Sequence, residues 1–272
     1  MAKVYVVTGA TSGIGKALLE KLAKDNIVFA GYRDELKGKE LELLSSNIKP
    51  FYVDYAKPET ILKAVEFIKS KTEKIDTLIN IAGCVVAGPI ELISVDEIRR
   101  QFNVNVFGHL ELSQGLANVM NNGKIINVSS MASFGIFPFI SPYCASKRAL
   151  DMFFNSFLIE NKRNIQVISI KPGVIATPLW GKSIKENTAS LVNCEGYEKE
   201  MEYVSANARK NEEKGLNVKK VVEVILKADA SKTPKLSYTV GKDAFCAHLI
   251  SKLPQCLINR LVKLGIKLRI KK

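Results

Sequence analysis

The sequence has 272 residues, 47% hydrophobic and 25% charged, an ordinary globular composition long enough for a sizeable core, which excludes a disordered, collagen-like or disulfide-stapled chain. Its five cysteines (Cys84, Cys144, Cys194, Cys246, Cys256) form no CxxC pair and, with only His109 and His248 beside them, offer no zinc-like spacing, so no metal site and a reducing compartment are expected. Of the net charge of +13, seven charges sit at the end, where Lys252, Arg260, Lys263, Lys267, Arg269, Lys271 and Lys272 stand without an acid or an aromatic-rich reading surface, so no nucleic-acid partner is expected.

In chain order, strand and helix alternate. Residues 3–8 (KVYVVT) form a β-branched run, and 13–24 have helical spacing, with Ile14, Leu18 and Leu22 four apart. Strand 27–31 precedes a charged helix running to about 44; strand 49–53 precedes helix 58–71, opened by a proline suited to its first turn. Strand 75–79, a long helix 94–119, strand 124–128, helix 142–161 and strand 166–170 follow. Nearly continuous apolar strands alternating with helices predict one α/β domain of Rossmann-like type. Its doubly wound parallel sheet has about seven strands and helices on both faces, with the ligand crevice at the carboxyl ends. Residues 178–217 are polar and helix-prone and carry Leu179, Trp180, Tyr197, Met201 and Tyr203, a composition that suits a substrate lid.

Residues 235–244 read as a last strand and turn, followed over 245–272 by a proline-interrupted helical tail in which Leu and Ile interleave with the basic residues. Two readings of the tail stay open: weak contact with an anionic membrane surface, or a packed or substrate-covering helix with a solvated basic end. No apolar run approaches the roughly 20 residues of a membrane span, and the first residues lack a signal-peptide layout. A cytoplasmic protein, peripheral to membranes at most, is therefore expected.

Three places carry chemistry. Gly9, Gly13 and Gly15 at a strand-to-helix turn let the backbone approach a pyrophosphate seated on the helix start. The second strand ends Gly31-Tyr32-Arg33-Asp34: Tyr32 stands where an NAD-selecting acid belongs, and Arg33 offers a planar fork for a 2′-phosphate, while a one-residue shift would make Asp34 a ribose ligand. NADP(H) is thus favoured, with NAD(H) the alternative. Tyr143 and Lys147, four apart, share a helix face, where the ammonium is expected to lower the phenol pKa for general acid–base work. Ser130 closes the fifth strand upstream of them.

With these residues the chain resembles the short-chain dehydrogenase/reductase family over nearly its whole length. The TGATSGIG turn, carrying Gly9, Thr11, Ser12, Gly13, Ile14 and Gly15, matches the family's cofactor-binding motif, and Asp54 matches its adenine-contacting acid. Asn80-Ile81-Ala82-Gly83 resembles the NNAG segment, with Ile81 replacing an asparagine. Ser12 stands where some NADP-using members carry a basic residue. Asn105, Ser130, Tyr143 and Lys147 match the catalytic tetrad, and Pro172, Gly173, Ile175 and Thr177 the segment that contacts the nicotinamide carboxamide.

The resemblance implies hydride transfer between a nicotinamide and a carbonyl or secondary alcohol. Ser130 would bind the carbonyl oxygen, Tyr143 would donate its proton, Lys147 would hold the ribose, and Asn105 would anchor a relay water. It also implies a homo-oligomer, a dimer or tetramer built through the two long helices. The tail loosely resembles members that act on retinoids, steroids and acyl lipids. A hydrophobic ketone or aldehyde substrate is expected from Trp180, Leu179, Tyr197, Met201 and Phe245 near the cleft mouth. Phe134, Ile136, Phe137, Pro138 and Phe139 would add an apolar wall. The alternatives are an NAD-dependent alcohol dehydrogenase and a dinucleotide-binding regulator without turnover, against which the intact tetrad speaks.

Overall fold

In the computed structural model, which describes residues 2–186 and 194–270, seven strands form one parallel sheet in the order β3-β2-β1-β4-β5-β6-β7. The strands are β1 (Val4–Val7), β2 (Ile27–Tyr32), β3 (Ile48–Tyr52), β4 (Thr77–Asn80), β5 (Lys124–Val128), β6 (Gln166–Pro172) and β7 (Ser237–Val240). Strand order reverses between β1 and β4, and a crevice opens there outside the carboxyl ends.

Alternation within each strand divides the core into two layers. Tyr5 and Val7, Val28 and Ala30, Ile79, Ile126 and Ile168 face one layer, closed by α1 (Gly13–Leu22) and a helix at Val218–Ala230. Val6, Phe29, Leu78, Ile125 and Val167 face the other, closed by α3 (Pro58–Lys71), the helix containing Leu112 and Leu116, and α6 (Ser141–Glu160). Both faces are apolar because both are covered, which is why the strands read as unbroken hydrophobic runs.

Two elements depart from the sequence reading. The long helix expected at 94–119 is divided: α4 (Val95–Phe102), a π-helical turn (Asn103–Phe107), α5 (Gly108–Leu116) and a closing 3-10 turn (Ala117–Val119). Gly108 lets this helix press on Tyr55, since a Cβ there would lie 2.4 Å from the ring's Cγ. The helix at Val218–Ala230, opened by Asn217 accepting from the Lys219 N–H, was not anticipated. Its Val221, Val222, Ile225 and Ala228 are buried at helical spacing.

The remaining helices follow from local chemistry. Asp34 caps α2 (Glu35–Glu42) by accepting from the Leu36 and Lys37 N–H groups. Of the expected lid at 178–217, residues 187–193 lie outside the described residues; on either side stand α7 (Leu179–Glu186) and α8 (Glu198–Lys214). The helix at Val218–Ala230 becomes α9, and the tail forms α10 (Lys242–Ile250) and α11 (Gln255–Ile270), broken at Pro254 as the sequence predicts. No helix among the described residues is long and apolar enough to cross a membrane.

Candidate active site

The crevice holds a cleft of about 250 Å³ whose lining runs from the glycine turn past the ends of β2, β3, β5 and β6 to α7. At the turn, Gly9 (φ +65°) and Gly13 (φ +51°) are left-handed, a conformation that glycine adopts without strain. Thr11, Ser12, Gly13 and Ile14 line the cleft, but Gly15 does not: a Cβ there would lie 2.1 Å from the Gly9 carbonyl, so it lets α1 close against the turn. The first turn of α1 carries no acid and Ser12 makes no side-chain cap, which leaves the positive helix end available to an anion. Thr8 Oγ1 accepts from the Ile81 and Ala82 N–H groups at 3.0 and 3.3 Å, tying this turn to the end of β4. Ile81 packs its side chain against the core, so the replacement of asparagine is absorbed there.

Tyr32, Arg33 and Asp54 line the adjoining part of the cleft. Asp34 lies outside the lining; its carboxylate accepts from the first turn of α2 at 3.1 and 3.3 Å. The Asp34 carboxylate is thus engaged at the start of α2 rather than in the cleft lining. Asp54 Oδ1 accepts from the Ala56 N–H, 3.0 Å away, which fixes the carboxylate at the end of β3.

Ala82 and Gly83 line the floor, whereas Asn80 is buried beneath it, donating to Asn127 Oδ1 at 2.8 Å across β4 and β5. Asn105, on the π-helical turn, is also buried outside the lining. Its Oδ1 accepts from the Cys84 N–H at 2.9 Å, and its Nδ2 donates to the Cys84 carbonyl and to Ser146 Oγ, both at 3.0 Å. Gln101, one turn earlier, accepts from the Val86 N–H and donates to the Cys84 carbonyl at 2.8 and 3.0 Å. The sequence reading missed Gln101; its place one turn before Asn105 on the same helix was the available signal.

Ser130, Tyr143 and Lys147 meet in the lining, all with less than a tenth of their surface exposed. Ser130 caps the 3-10 turn Met131–Phe134 by accepting from the Ala132 N–H and hydrogen-bonds the Tyr143 phenol. The sequence predicts a phenol pKa lowered by Lys147; the structure corrects this. Burial pushes Tyr143 up to about 12, opposed by the Ser130 hydrogen bond. Burial likewise brings Lys147 down to about 8, with Asp151 and Cys84 opposing. The ammonium lies 5.8 Å from the phenol ring centre and donates to the Val128 carbonyl at 2.9 Å, and desolvation is the largest influence on both groups.

Asp151, also missed, stands one helical turn after Lys147. It accepts from Ser169 Oγ at 2.8 Å and pairs with Lys171 at 2.7 Å, and Lys171 lies 4.6 Å over the Phe134 ring. This buried cluster joins α6, β6 and the turn that holds Ser130.

Pro172, Gly173, Ile175 and Thr177 line the far end. Gly173 is needed where Asp243 approaches, since a Cβ would fall 2.0 Å from its Oδ1; Asp243 Oδ2 accepts from the Val174 N–H at 2.7 Å. Leu179 and Trp180 of α7 close the cleft, Trp180 standing edge-on to Tyr143 with ring centres 6.3 Å apart. Phe137 and Ile140 pack with them against Val85 and Tyr143.

The rest of the expected apolar surround lies elsewhere. Tyr197 packs on Phe139 and donates to Glu91, Met201 is buried along α8, and Phe245 is exposed on α10. His109 is buried, bonded through Nε2 to the Ala82 carbonyl and held by burial at about 3, so it is neutral and packed. Cys144 is buried too, its thiol pushed up to about 11 by desolvation. No cluster of three or more potential metal ligands occurs among the described residues.

A family model described as short chain dehydrogenase matches residues 3–188. The chain is 32% identical over 248 residues to an NADPH-dependent 3-dehydrocapnine reductase of Ornithobacterium rhinotracheale, covering 87% of each chain. It is 29% identical over 246 residues to a 3-ketodihydrosphingosine reductase of Bacteroides thetaiotaomicron, covering 88% of each. Its fold superposes with a TM-score of 0.80, at 19% identity and 92% coverage of both chains, on the crystal structure of a short-chain dehydrogenase/reductase from Burkholderia phymatum in complex with NAD. A glycine-turn cleft, a serine–tyrosine–lysine cluster and these similarities lead to one conclusion: the chain belongs to the short-chain dehydrogenase/reductase family of oxidoreductases, which are built on an NAD(P)-binding fold.

Proposed function

We propose that this protein is an NADP(H)-dependent reductase of a carbonyl group on a hydrophobic, lipid-like substrate. The observation that carries the cofactor half is the end of β2: Arg33 lines the cleft while the neighbouring carboxylate, Asp34, is committed to capping α2. A guanidinium there suits a 2′-phosphate, and no acid stands at Tyr32 to select the plain ribose. The substrate half is supported by the apolar wall of Val85, Phe137, Ile140, Leu179 and Trp180 around Tyr143. Two relatives point the same way: both are named as reductases, one as NADPH-dependent and the other for a lipid ketone.

The bound dinucleotide would supply the hydride. Thr11, Ser12, Gly13 and Ile14 would hold its pyrophosphate on the start of α1, while Gly9 and Gly15 give the turn its shape. Arg33 and Tyr32 would take the adenosine phosphate and Asp54 the adenine. Ala82, Gly83, Pro172, Gly173, Ile175 and Thr177 would flank the nicotinamide end. Asn80 serves from below, bracing β4 to β5.

Ser130 orients the carbonyl oxygen by hydrogen bonding. Tyr143 donates the proton that this oxygen takes up, and because burial keeps its pKa near 12 the phenol is protonated and ready at neutral pH. Lys147, at about 8, is mostly cationic at neutrality yet releases its proton readily, which fits it to reprotonate the phenol and to bind ribose hydroxyls. Asn105 holds the floor through Cys84 and Ser146. With its side chain so occupied, its backbone carbonyl is the group through which it would anchor a relay water.

Helices α7 and α8 act as a lid on the single domain, and the protein works as a homo-oligomer. Phe107, Met152, Phe153 and Ile159, apolar and exposed on the central helices, support a subunit contact there.

Consumption of NADPH by the purified chain, offered long-chain ketones, steroid ketones and small polar sugars, tests this reading. Turnover on the hydrophobic ketones is expected. Turnover confined to the sugars overturns the substrate half, and oxidation of alcohols with NAD alone overturns the cofactor half.

A further inference from the structure

Helix α11 presents three faces. At about 100° per residue, Ile258, Val262 and Ile266 share one side of it; Ile258 is buried, the other two are half-buried, and the helix rests beside α8. Leu257, Leu261, Leu264 and Leu268 form a second stripe roughly a third of a turn away, between 40% and 59% exposed. Arg260, Lys263 and Lys267 are exposed on a third face, flanking that leucine stripe. A helix that already buries one apolar stripe ordinarily turns polar groups to water; this one turns a second apolar stripe outward.

The outward stripe does not stand alone. Phe245 and Leu249 on α10, and Leu253 at the break between the helices, are also exposed, with Lys252 beside them. No acid occurs anywhere beyond residue 244. A partner that accepts exposed leucines next to an unrelieved row of cations must be apolar within and negatively charged at its surface, which is the chemistry of an anionic bilayer.

We propose that α10 and α11 form a docking surface for anionic lipid membranes, lying in the interface plane with the leucine stripe inserted and Lys252, Arg260, Lys263 and Lys267 on the headgroups. The surface adjoins the active cleft. Helix α10 packs on the 3-10 turn that follows Ser130, Phe134 meeting His248 with ring centres 4.7 Å apart, and α11 lies along α8 of the lid. Docked this way, the cleft receives a lipid-like substrate from the bilayer; that consequence rests on the substrate reading above, whereas the docking itself does not.

Co-sedimentation of the purified full chain with vesicles tests the proposal, using phosphatidylcholine alone and phosphatidylcholine containing phosphatidylserine. Binding to the mixed vesicles, weakened by salt, is expected. The triple variant Arg260→Glu/Lys263→Glu/Lys267→Glu should bind about a hundredfold more weakly, and Leu261→Glu/Leu264→Glu at least roughly tenfold more weakly. Both should keep NADPH binding, which establishes that they fold. The proposal is overturned if the wild type ignores anionic vesicles, if both variants bind like the wild type, or if the leucine variant instead breaks a dimer that has no vesicle affinity. Vesicle binding without turnover on any lipid ketone supports the docking surface and refutes only the substrate reading.

Discussion

Tyr143 and Lys147 have pKa values displaced by the same cause in opposite directions, and the sequence conveys only part of this. Spacing places the two side chains on one helix face; it does not reveal that burial is the largest influence on both values. Tyr143→Phe removes the proton donor while leaving the ring against Trp180, so turnover should fall at least about a hundredfold with dinucleotide affinity little changed. Steady-state kinetics beside a binding titration would check this. The pH profile follows from the second group. Lys147 carries its proton below about 8 and loses it above, so the reduction rate should decline through a single basic limb near pH 8. The phenol, at about 12, adds no limb in the working range. A rate that climbs steadily from pH 7 to pH 9 would contradict the assignment of Lys147 as the proton source for Tyr143.

Among the elements, the interrupted helix from α4 to α5 is the most instructive. Apolar periodicity predicts one helix and cannot see the π-helical turn, because that turn is set by contacts distant in sequence: Gly108 on Tyr55, and Gln101 and Asn105 on Cys84. Gln101→Leu would leave the buried Val86 N–H without its acceptor. A loss of about 1–3 kcal/mol in a urea unfolding curve is expected, together with weaker NADPH binding as the floor at Ala82 and Gly83 loosens. Unchanged stability would mean that Asn105 alone holds this segment. The glycine turn, by contrast, was legible residue by residue, since left-handed backbone and close approach demand glycine wherever they occur. Helix α9 had a readable signal in Asn217 and the spacing of Val221, Val222 and Ile225. Its position directly after a polar, lid-like stretch obscures that signal.

For the whole molecule, the alternation of strand and helix made the doubly wound sheet legible, and the sheet alone places the cleft at the β1/β4 switch point. What sequence order could not supply was the fastening at the opposite end of the sheet. There Asp229 of α9 accepts from Tyr5 and Thr77 and pairs with Lys3, and Lys124 donates to its backbone carbonyl. Burial alone would raise this carboxyl, but the bonds from Thr77, Lys3 and Tyr5 prevail and hold it below its ordinary value. A carboxyl depressed in the folded state stabilises the fold above the pH at which the unfolded group titrates and ceases to do so as pH falls through the folded value. Asp229→Asn should therefore cost about 2–3 kcal/mol at neutrality, read as a lower melting temperature, and the difference from wild type should shrink in acid. A deficit that grows on acidification would contradict that sign.

The account turns on which dinucleotide the chain binds. The most direct measurement is a calorimetric titration of the purified protein with NADPH and with NADH, repeated for Arg33→Ala. The account predicts at least about tenfold tighter binding of NADPH, a preference that the variant abolishes by weakening NADPH alone. Equal affinities, tighter NADH, or a preference that survives the loss of Arg33 would contradict it.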